Sequence, residues 1–143
     1  MKQININSKI SVKDFGEQIQ FKLIINQSVG KELGMGLLLL KENLSNVIGL
    51  KFSDFLMILK TSDDNYSYIE SIEFKNKIFK GMISFDAIDY ILYYVLKFYR
   101  DGIAEAEHID VDFINIKGAE ITFTIQCNDY IEYSAEEINN ILR

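Results

Sequence analysis

Two alternating segments that decide the fold lie side by side in the sequence HIDVDFINIKGAEITFTIQC, residues 108–127. Over residues 109–113 and 120–125, every second residue is apolar, and the residues between are charged or polar. The apolar positions are Ile109, Val111, Phe113, Ile121, Phe123 and Ile125. A period of two is typical of a strand with one buried face, so the pair predicts an antiparallel hairpin with an apolar inner side.

Opposed residues of an antiparallel pair must share a face, and this requirement selects the loop. A two-residue Lys117-Gly118 loop would set Asp112 against Phe123, which belong to different faces. A three-residue Ile116-Lys117-Gly118 loop removes the conflict and places Gly118 where the common three-residue hairpin takes a left-handed residue. The outward pairs are then Asp110 with Thr124, Asp112 with Thr122, and Ile114 with Glu120. The outer face is therefore predicted to be acidic.

The clearest helical pattern covers residues 84–101. Ser84 is a good N-cap, Asp86 suits the positive end of the helix, and Gly102 is placed to end it. At 100° per residue, one broad face collects Phe85, Ile88, Ile91, Leu92, Val95, Leu96 and Tyr99. This arc is wider than a surface helix needs, so we expect the helix to lie across a sheet with other elements beside it.

Further strands are predicted where apolar residues alternate. These segments are residues 1–6, 17–25, 66–75 and 78–83. A two-residue Asn76-Lys77 turn between the last two would set Phe74 opposite Phe79 and Glu73 opposite Lys80, a favourable charge pair.

Two other segments have helical spacing, and a third is ambiguous. Residues 53–60 predict a short helix. Residues 134–142 predict a C-terminal helix, with Ser134 and Glu137 as a capping box. Its apolar residues, expected to dock on the core, are Ile138, Ile141 and Leu142. Residues 29–44 are compatible with a buried strand or a short helix.

These patterns together predict the fold class. We expect residues 1–143 to form a single α+β domain, with no internal repeat or linker. Its mainly antiparallel sheet would be packed by a long central helix (about 84–101) and a C-terminal helix (about 134–142). The composition, 48% hydrophobic and 25% charged, supports one buried core of ordinary size.

The net charge of −6 belongs to one part of the chain. Residues 1–100 carry 13 Lys or Arg against 11 Asp or Glu, whereas residues 101–143 carry two against ten. The negative net charge counts against nucleic-acid binding, which needs a cationic surface. The imbalance also predicts electrostatic attraction between the C-terminal third and a basic partner.

Candidate chemistry is sparse. Cys127, the single cysteine, excludes an internal disulfide and a cysteine-based zinc site. The hairpin register places Cys127 inside and His108 outside, which argues against a nucleophilic pair. His108, Asp110 and Asp112 share one side of a strand and could hold a divalent cation, but a solvated strand face explains them as well. We therefore predict no catalytic residues, no bound metal and no cofactor.

The leading hypothesis is a non-enzymatic protein-binding module whose acidic C-terminal surface engages a basic protein. In size and charge the chain resembles small cytoplasmic immunity proteins of bacteria, antitoxin-like inhibitors of cationic toxins such as nucleases. The expected partner-binding residues are Glu105, Glu107, Asp110, Asp112, Glu120, Asp129, Tyr130, Glu132 and Tyr133.

Two alternatives stay open beside this hypothesis. One is a small-molecule or metal-ion binding domain with its site between the sheet and the Ser84 helix. The other is a homo-oligomeric structural subunit that pairs through a strand edge or an apolar helix face. With one cysteine, no signal-peptide pattern and no apolar run near the roughly 20 residues that span a bilayer, we expect a cytoplasmic monomer or homodimer without membrane contact.

Overall fold

The computed structural model describes residues 2–6, 13–15, 18–73, 75–115, 120–128 and 135–142. Nine strands and three helices lie in these ranges. The strands are β1 (Lys2–Asn5), β2 (Lys13–Phe15), β3 (Gln18–Ile25), β4 (Ile48–Lys51), β5 (Leu56–Thr61), β6 (Ser67–Glu73), β7 (Ile78–Ile83), β8 (Ile109–Asn115) and β9 (Glu120–Cys127). The helices are α1 (Gln27–Lys41), α2 (Phe85–Asp101) and α3 (Ala135–Ile141).

The strands form one mixed sheet in the order β1-β4-β5-β7-β6-β8-β9-β3-β2. Four of its pairings are antiparallel and four are parallel. The α+β class is therefore confirmed, but the expectation of a mainly antiparallel sheet is wrong. The reason is that α1 and α2 each carry the chain to a distant strand, and the strands brought together in this way run in the same direction.

A strand–strand–helix–strand–strand unit occurs twice, first as β2-β3-α1-β4-β5 and then as β6-β7-α2-β8-β9. In both units the first two strands are antiparallel, and so are the last two. The last strand of each unit pairs in parallel with the second strand of the other, β5 with β7 and β9 with β3. We call these units the first and second repeat. No internal repeat was expected from the amino-acid sequence, but the order of strands and helices does repeat.

The sheet is strongly curled around its apolar side. Nine flat strands would set the two edges about 38 Å apart, at roughly 4.8 Å per step. Ile6, which follows β1, and Lys13, which begins β2, are seven residues apart and so at most about 25 Å apart. Phe21 of β3 also meets Phe79 of β7 with ring centroids 5.0 Å apart, although three strands separate β3 from β7. The curl brings the two repeats face to face.

Helix α2 has the predicted bounds and caps. The Ser84 hydroxyl accepts a hydrogen bond from the Ala87 amide, and Gly102 ends the helix in the left-handed conformation with φ 73°. Its buried arc is rotated from the prediction, because Tyr94 and Phe98 are buried whereas Phe85 and Tyr99 are exposed. Tyr94 is held inside because its hydroxyl donates to the Ala106 carbonyl, 2.9 Å away, and accepts from the Cys127 amide, 3.2 Å away.

The ambiguous segment forms α1, capped by Asn26, whose side chain accepts from the Val29 amide. Its glycines allow close packing and do not break the helix. A Cβ atom on Gly34 would lie 2.7 Å from Leu96 Cδ2, and one on Gly36 would lie 2.7 Å from Ile4 Cδ1. Two packed helices therefore cover the sheet, where one central helix was expected.

Two local predictions are wrong. Residues 53–60 form no helix, because Met57 and Leu59 alternate with half-buried residues in strand β5. The turn before β7 is longer than two residues, since Glu73 pairs with Ile78. The register of β6 and β7 then sets Ile72 opposite Phe79 and Ser71 opposite Lys80, in place of the two predicted pairs. Phe74 lies outside the described residues.

The C-terminal helix is present as α3, but its apolar residues do not dock on the core. Ile138, Ile141 and Leu142 are all exposed, from 44% to 78% of their surface. Ser134 and the Glu137 side chain, the predicted capping box, lie outside what the structure describes. The second helix of the expected fold therefore adds little to the buried core.

Candidate protein-binding surface

The β8–β9 hairpin has the predicted register. Ile109 pairs with Ile125, and Phe113 pairs with Ile121, so the apolar residues point together into the curled sheet. The loop residues Ile116, Lys117 and Gly118 lie outside the described ranges. The pairing alone confirms which hairpin residues face outward.

We call the outward side of this hairpin the acidic face, formed by Asp110, Asp112, Thr122 and Thr124. The Thr124 hydroxyl donates to Asp110 Oδ1 over 2.7 Å, and the Thr122 hydroxyl donates to Asp112 Oδ1 over 3.0 Å. Each carboxylate is thus held by a neutral partner directly opposite it in the sheet. The hydroxyls orient the carboxylates without neutralising their charge.

Strand β3 adds a further residue, Gln20, to the acidic face. Its Gln20 amide donates to the Thr124 hydroxyl oxygen over 3.0 Å, so a chain of hydrogen bonds runs from Gln20 through Thr124 to Asp110. Thr124 is 95% buried by these neighbours although it lies on the outer side of the sheet. The hairpin pattern contains no signal for Gln20, because the parallel pairing of β3 with β9 joins residues about one hundred positions apart.

Other acidic residues of the C-terminal third are paired with cations from α2. Lys97 Nζ lies 3.1 Å from Glu105 Oε1, and Arg100 contacts both carboxylate oxygens of Asp101, at 2.7 and 3.0 Å. The hydrogen bond from Arg100 lowers the pKa of Asp101 below its usual value. The segment is thus less uniformly negative than its composition indicates. Glu107, which follows, is exposed.

The remaining predicted residues are only partly placed. Glu120 begins β9 with its backbone opposite Ile114, and its side chain is not described. The other four lie outside the described residues, namely Asp129, Tyr130, Glu132 and Tyr133. Of the nine predicted residues, the structure therefore brings Asp110 and Asp112 together on one face.

The possible cation site on this strand has little support from the geometry. His108 Nε2 lies 3.8 Å from Asp110 Oδ2, and both side chains are about half exposed. Asp112 is occupied by Thr122. Over the described ranges, no three His, Cys, Asp or Glu residues are grouped closely enough to hold a metal ion.

Cys127 and His108 lie on opposite sides of the sheet, as the register predicts. Cys127 is 5% exposed, whereas the His108 side chain is half exposed. Burial raises the pKa of the Cys127 thiol to about 12, although its hydrogen bond with Tyr94 acts in the opposite direction. A thiol that stays protonated at neutral pH is a poor nucleophile, so this cysteine serves as a core residue.

The space between the sheet and α2, where a small-molecule site was one alternative, is filled by side chains. A gap of about 30 Å³ remains, enclosed by apolar residues that include Leu37, Ile91 and Phe123. Small-molecule pockets usually measure about 300–1,000 Å³. This gap is therefore too small for a metabolite.

Comparison with known proteins gives no match of any kind. No family model matches the chain, and no curated protein or solved structure is significantly similar to it. Among the helices that the structure describes, none has the length and apolar character required to cross a membrane.

Proposed function

We propose that this chain is a non-enzymatic binding protein whose acidic face engages a basic protein. The supporting observation is the pair Asp110 and Asp112, two neighbouring carboxylates that are exposed, oriented by threonine hydroxyls, and not paired with a lysine or arginine in the described part of the chain. Such charges attract a cationic partner over a distance and then accept its hydrogen bonds on contact.

The rigidity of the acidic face favours recognition over a merely solubilising role. Asp110 is held through Thr124 and Gln20, so little side-chain freedom is lost when a partner binds. Asp101 and Glu105, by contrast, already form ion pairs with Arg100 and Lys97 of this chain. We therefore place the centre of the interface on β8 and β9, with Glu107 and Glu120 at its border.

The concrete form of this proposal is an inhibitor in the cytoplasm that covers the basic active site of a toxin such as a nuclease. A nuclease must bind phosphates, so its active site is cationic and complementary to paired carboxylates. On this proposal, Asp129, Tyr130, Glu132 and Tyr133 would extend the interface beyond the hairpin, because tyrosine and acidic side chains together suit an arginine-rich surface.

The test compares two double reversals with equal change in net charge. D110K/D112K removes the acidic face, whereas the control D63K/D64K reverses two exposed acids in the loop after β5. Partners captured by the wild-type chain from native lysate are identified and then titrated at several salt concentrations. We expect D110K/D112K to weaken binding by at least about tenfold at low salt and to flatten its salt dependence, and the control to change little.

Two results would contradict the proposal. One is capture of the same partner with equal affinity by D110K/D112K and by the wild type. The other is a captured partner whose binding shows no dependence on salt, since attraction between exposed charges must weaken as ionic strength rises.

A homo-oligomeric subunit is the second candidate, supported by exposed aromatic residues on α2. Phe85, Tyr90 and Tyr93 together present a partly apolar helix surface to solvent. Light scattering on the purified chain decides this point. A monomer at high concentration would leave the acidic face as the better candidate, and a dimer disrupted by Tyr93→Glu would favour the helix surface.

A further inference from the structure

A second surface feature lies in the other half of the sheet, on the outward side of β5, β6 and β7. It is an open groove of about 590 Å³. Its polar wall consists of Lys60, Lys80, Glu70 and Ser71, and its apolar part comes from Ile58 and Val47. The volume falls within the range of small-molecule sites, unlike the gap inside the core.

The two lysines project from neighbouring parallel strands. Ile58 of β5 pairs with Lys80 of β7, and Lys60 pairs with Met82, so the lysines occupy diagonal positions over the same part of the sheet. Within the described residues, neither forms an ion pair with a carboxylate. Two cations beside one carboxylate, Glu70, leave the groove with a net positive charge.

The pairing of β3 with β9 provides an internal comparison for this groove, which lies over the equivalent pairing of β7 with β5. Phe21 and Phe79 occupy equivalent places, because each lies four residues before the end of its strand and pairs with the last strand of the other repeat. By this alignment Lys22 corresponds to Lys80, and Thr124 corresponds to Ile58. At the second place Thr124 is buried under a hydrogen-bonded network, whereas Ile58 stands in an open groove. The fold itself therefore does not require the opening.

We propose that this groove binds a small organic anion with an apolar body. The acid group would lie between the ammonium groups of Lys60 and Lys80, and the apolar body would cover Ile58 and Val47. Charge complementarity and the volume of the groove indicate this ligand. The two unpaired lysines match an acid group, and the apolar side chains beside them match an apolar body. This site is separate from the acidic face and does not rest on the function proposed for that face.

The probe is octanoate, titrated calorimetrically into the full chain. Two matched ligands separate the contributions, since octylammonium keeps the apolar chain with the opposite charge, and inorganic phosphate keeps the charge without the chain. We expect octanoate to bind at one site, and both matched ligands to bind at least about tenfold more weakly.

Variants locate the site. Lys60→Met and Lys80→Met keep the apolar stems and remove the charges, so each should weaken octanoate binding about threefold to tenfold. Glu70→Gln should strengthen it about threefold, because it removes the one carboxylate from the wall. Lys22→Met is the matched control for Lys80→Met, from the equivalent place in the first repeat, and should have no effect. Thermal unfolding of each variant confirms that the fold is retained.

Any of three outcomes would overturn the proposal. An affinity for octylammonium equal to that for octanoate would show an unselective apolar surface. Lys22→Met could weaken binding as much as Lys80→Met, which would indicate general attraction by the protein's charge. Self-association in light scattering that is lost in both Lys60→Met and Lys80→Met would show that a second copy occupies the groove. The D110K/D112K variant should bind octanoate normally, so failure here and failure of the proposed function are distinguishable.

Discussion

The two repeats have alike inward sides but differ in charge at an equivalent outward position. Leu50 of β4 and Val111 of β8 are equivalent by their pairing with the last strand of their own repeat, and both are buried. The next residue outward is Lys51 in the first repeat and Asp112 in the second. The lysine groove lies where β5 of the first repeat meets β6 and β7 of the second, and the acidic face lies on β8 and β9 of the second. The shared fold thus constrains the core and leaves the outer surfaces free to differ in charge.

The difference between the inward and outward sides has a physical basis. An inward side chain touches many neighbours, and a change of even one methylene group affects its packing. An outward side chain on a strand touches few, so a change of charge there usually alters stability by less than about 0.5 kcal/mol. Substitutions on the inward side should therefore change the free energy of unfolding strongly, and substitutions on the outward side should change it only slightly.

The largest effect is expected where the two repeats meet. Phe21→Ala and Phe79→Ala each remove a fully buried ring, so each should lower the free energy of unfolding by about 3–5 kcal/mol. Because the rings touch, the double variant should cost less than the sum of the two. Urea unfolding followed by circular dichroism and by tyrosine fluorescence should give one shared transition. Two separate transitions would mean that the repeats are independent units.

The next effect concerns the ends of the last strands, Thr61 in the first repeat and the buried Cys127 in the second. The pKa of the Cys127 thiol is raised to about 12 by burial, from an ordinary value of about 8.5. A raised pKa means that the folded state favours the protonated thiol. Its contribution is therefore complete below about pH 8.5 and is lost as the pH rises toward 12.

At pH 10 this loss amounts to about 2 kcal/mol of the free energy of unfolding. Cys127→Ala should remove that part of the pH dependence, and Thr61→Ala should leave it unchanged. Urea unfolding at pH 7 and pH 10 measures the difference. Equal losses in the wild type and in Cys127→Ala would show that another group, such as a tyrosine, is responsible.

A smaller effect separates the two helix caps. Asn26 makes one capping bond to the Val29 amide, whereas the Ser84 hydroxyl caps α2 and also contacts the buried Ser67 hydroxyl, 3.3 Å away. We expect Asn26→Ala to cost about 0.5–1 kcal/mol and Ser84→Ala about 1–2 kcal/mol. Ser67→Ala should approach the Ser84 value, because it leaves the Ser84 amide without its partner. Equal costs at Asn26 and Ser84 would show that the buried contact contributes nothing.

The second repeat was more predictable from the sequence than the first because its signals are local. Ser84 and Gly102 bracket α2, and the outward pairs of the β8–β9 hairpin follow from one short loop. In the first repeat, the glycines of α1 allow close contact with Leu96 and Ile4, which are far away in the chain. Such glycines resemble helix breakers when only their neighbours in sequence are considered.

Of the two candidate sites, the acidic face was predictable from local sequence and the lysine groove was not. Asp110 and Asp112 were predicted because their partners lie across one hairpin, but Gln20 reaches them only through a parallel pairing between β3 and β9. The lysine groove was not predictable, since Lys60 falls in a segment with helical spacing and meets Lys80 only in the folded sheet. Pairings between the repeats are set by the whole core, and no local pattern encodes them.

The smallest effect on stability is expected from exchanging charges between the two outer surfaces. Lys51→Asp with Asp112→Lys keeps the net charge and changes two exposed, equivalent positions, so the free energy of unfolding should shift by less than about 0.5 kcal/mol. Binding of a basic partner should nevertheless weaken, because the acidic face loses one of its two oriented carboxylates. Calorimetry and urea unfolding on the same samples separate these effects. A large loss of stability would show that Asp112 and its Thr122 bond serve the fold, and the acidic face would then lose its main argument as a recognition surface.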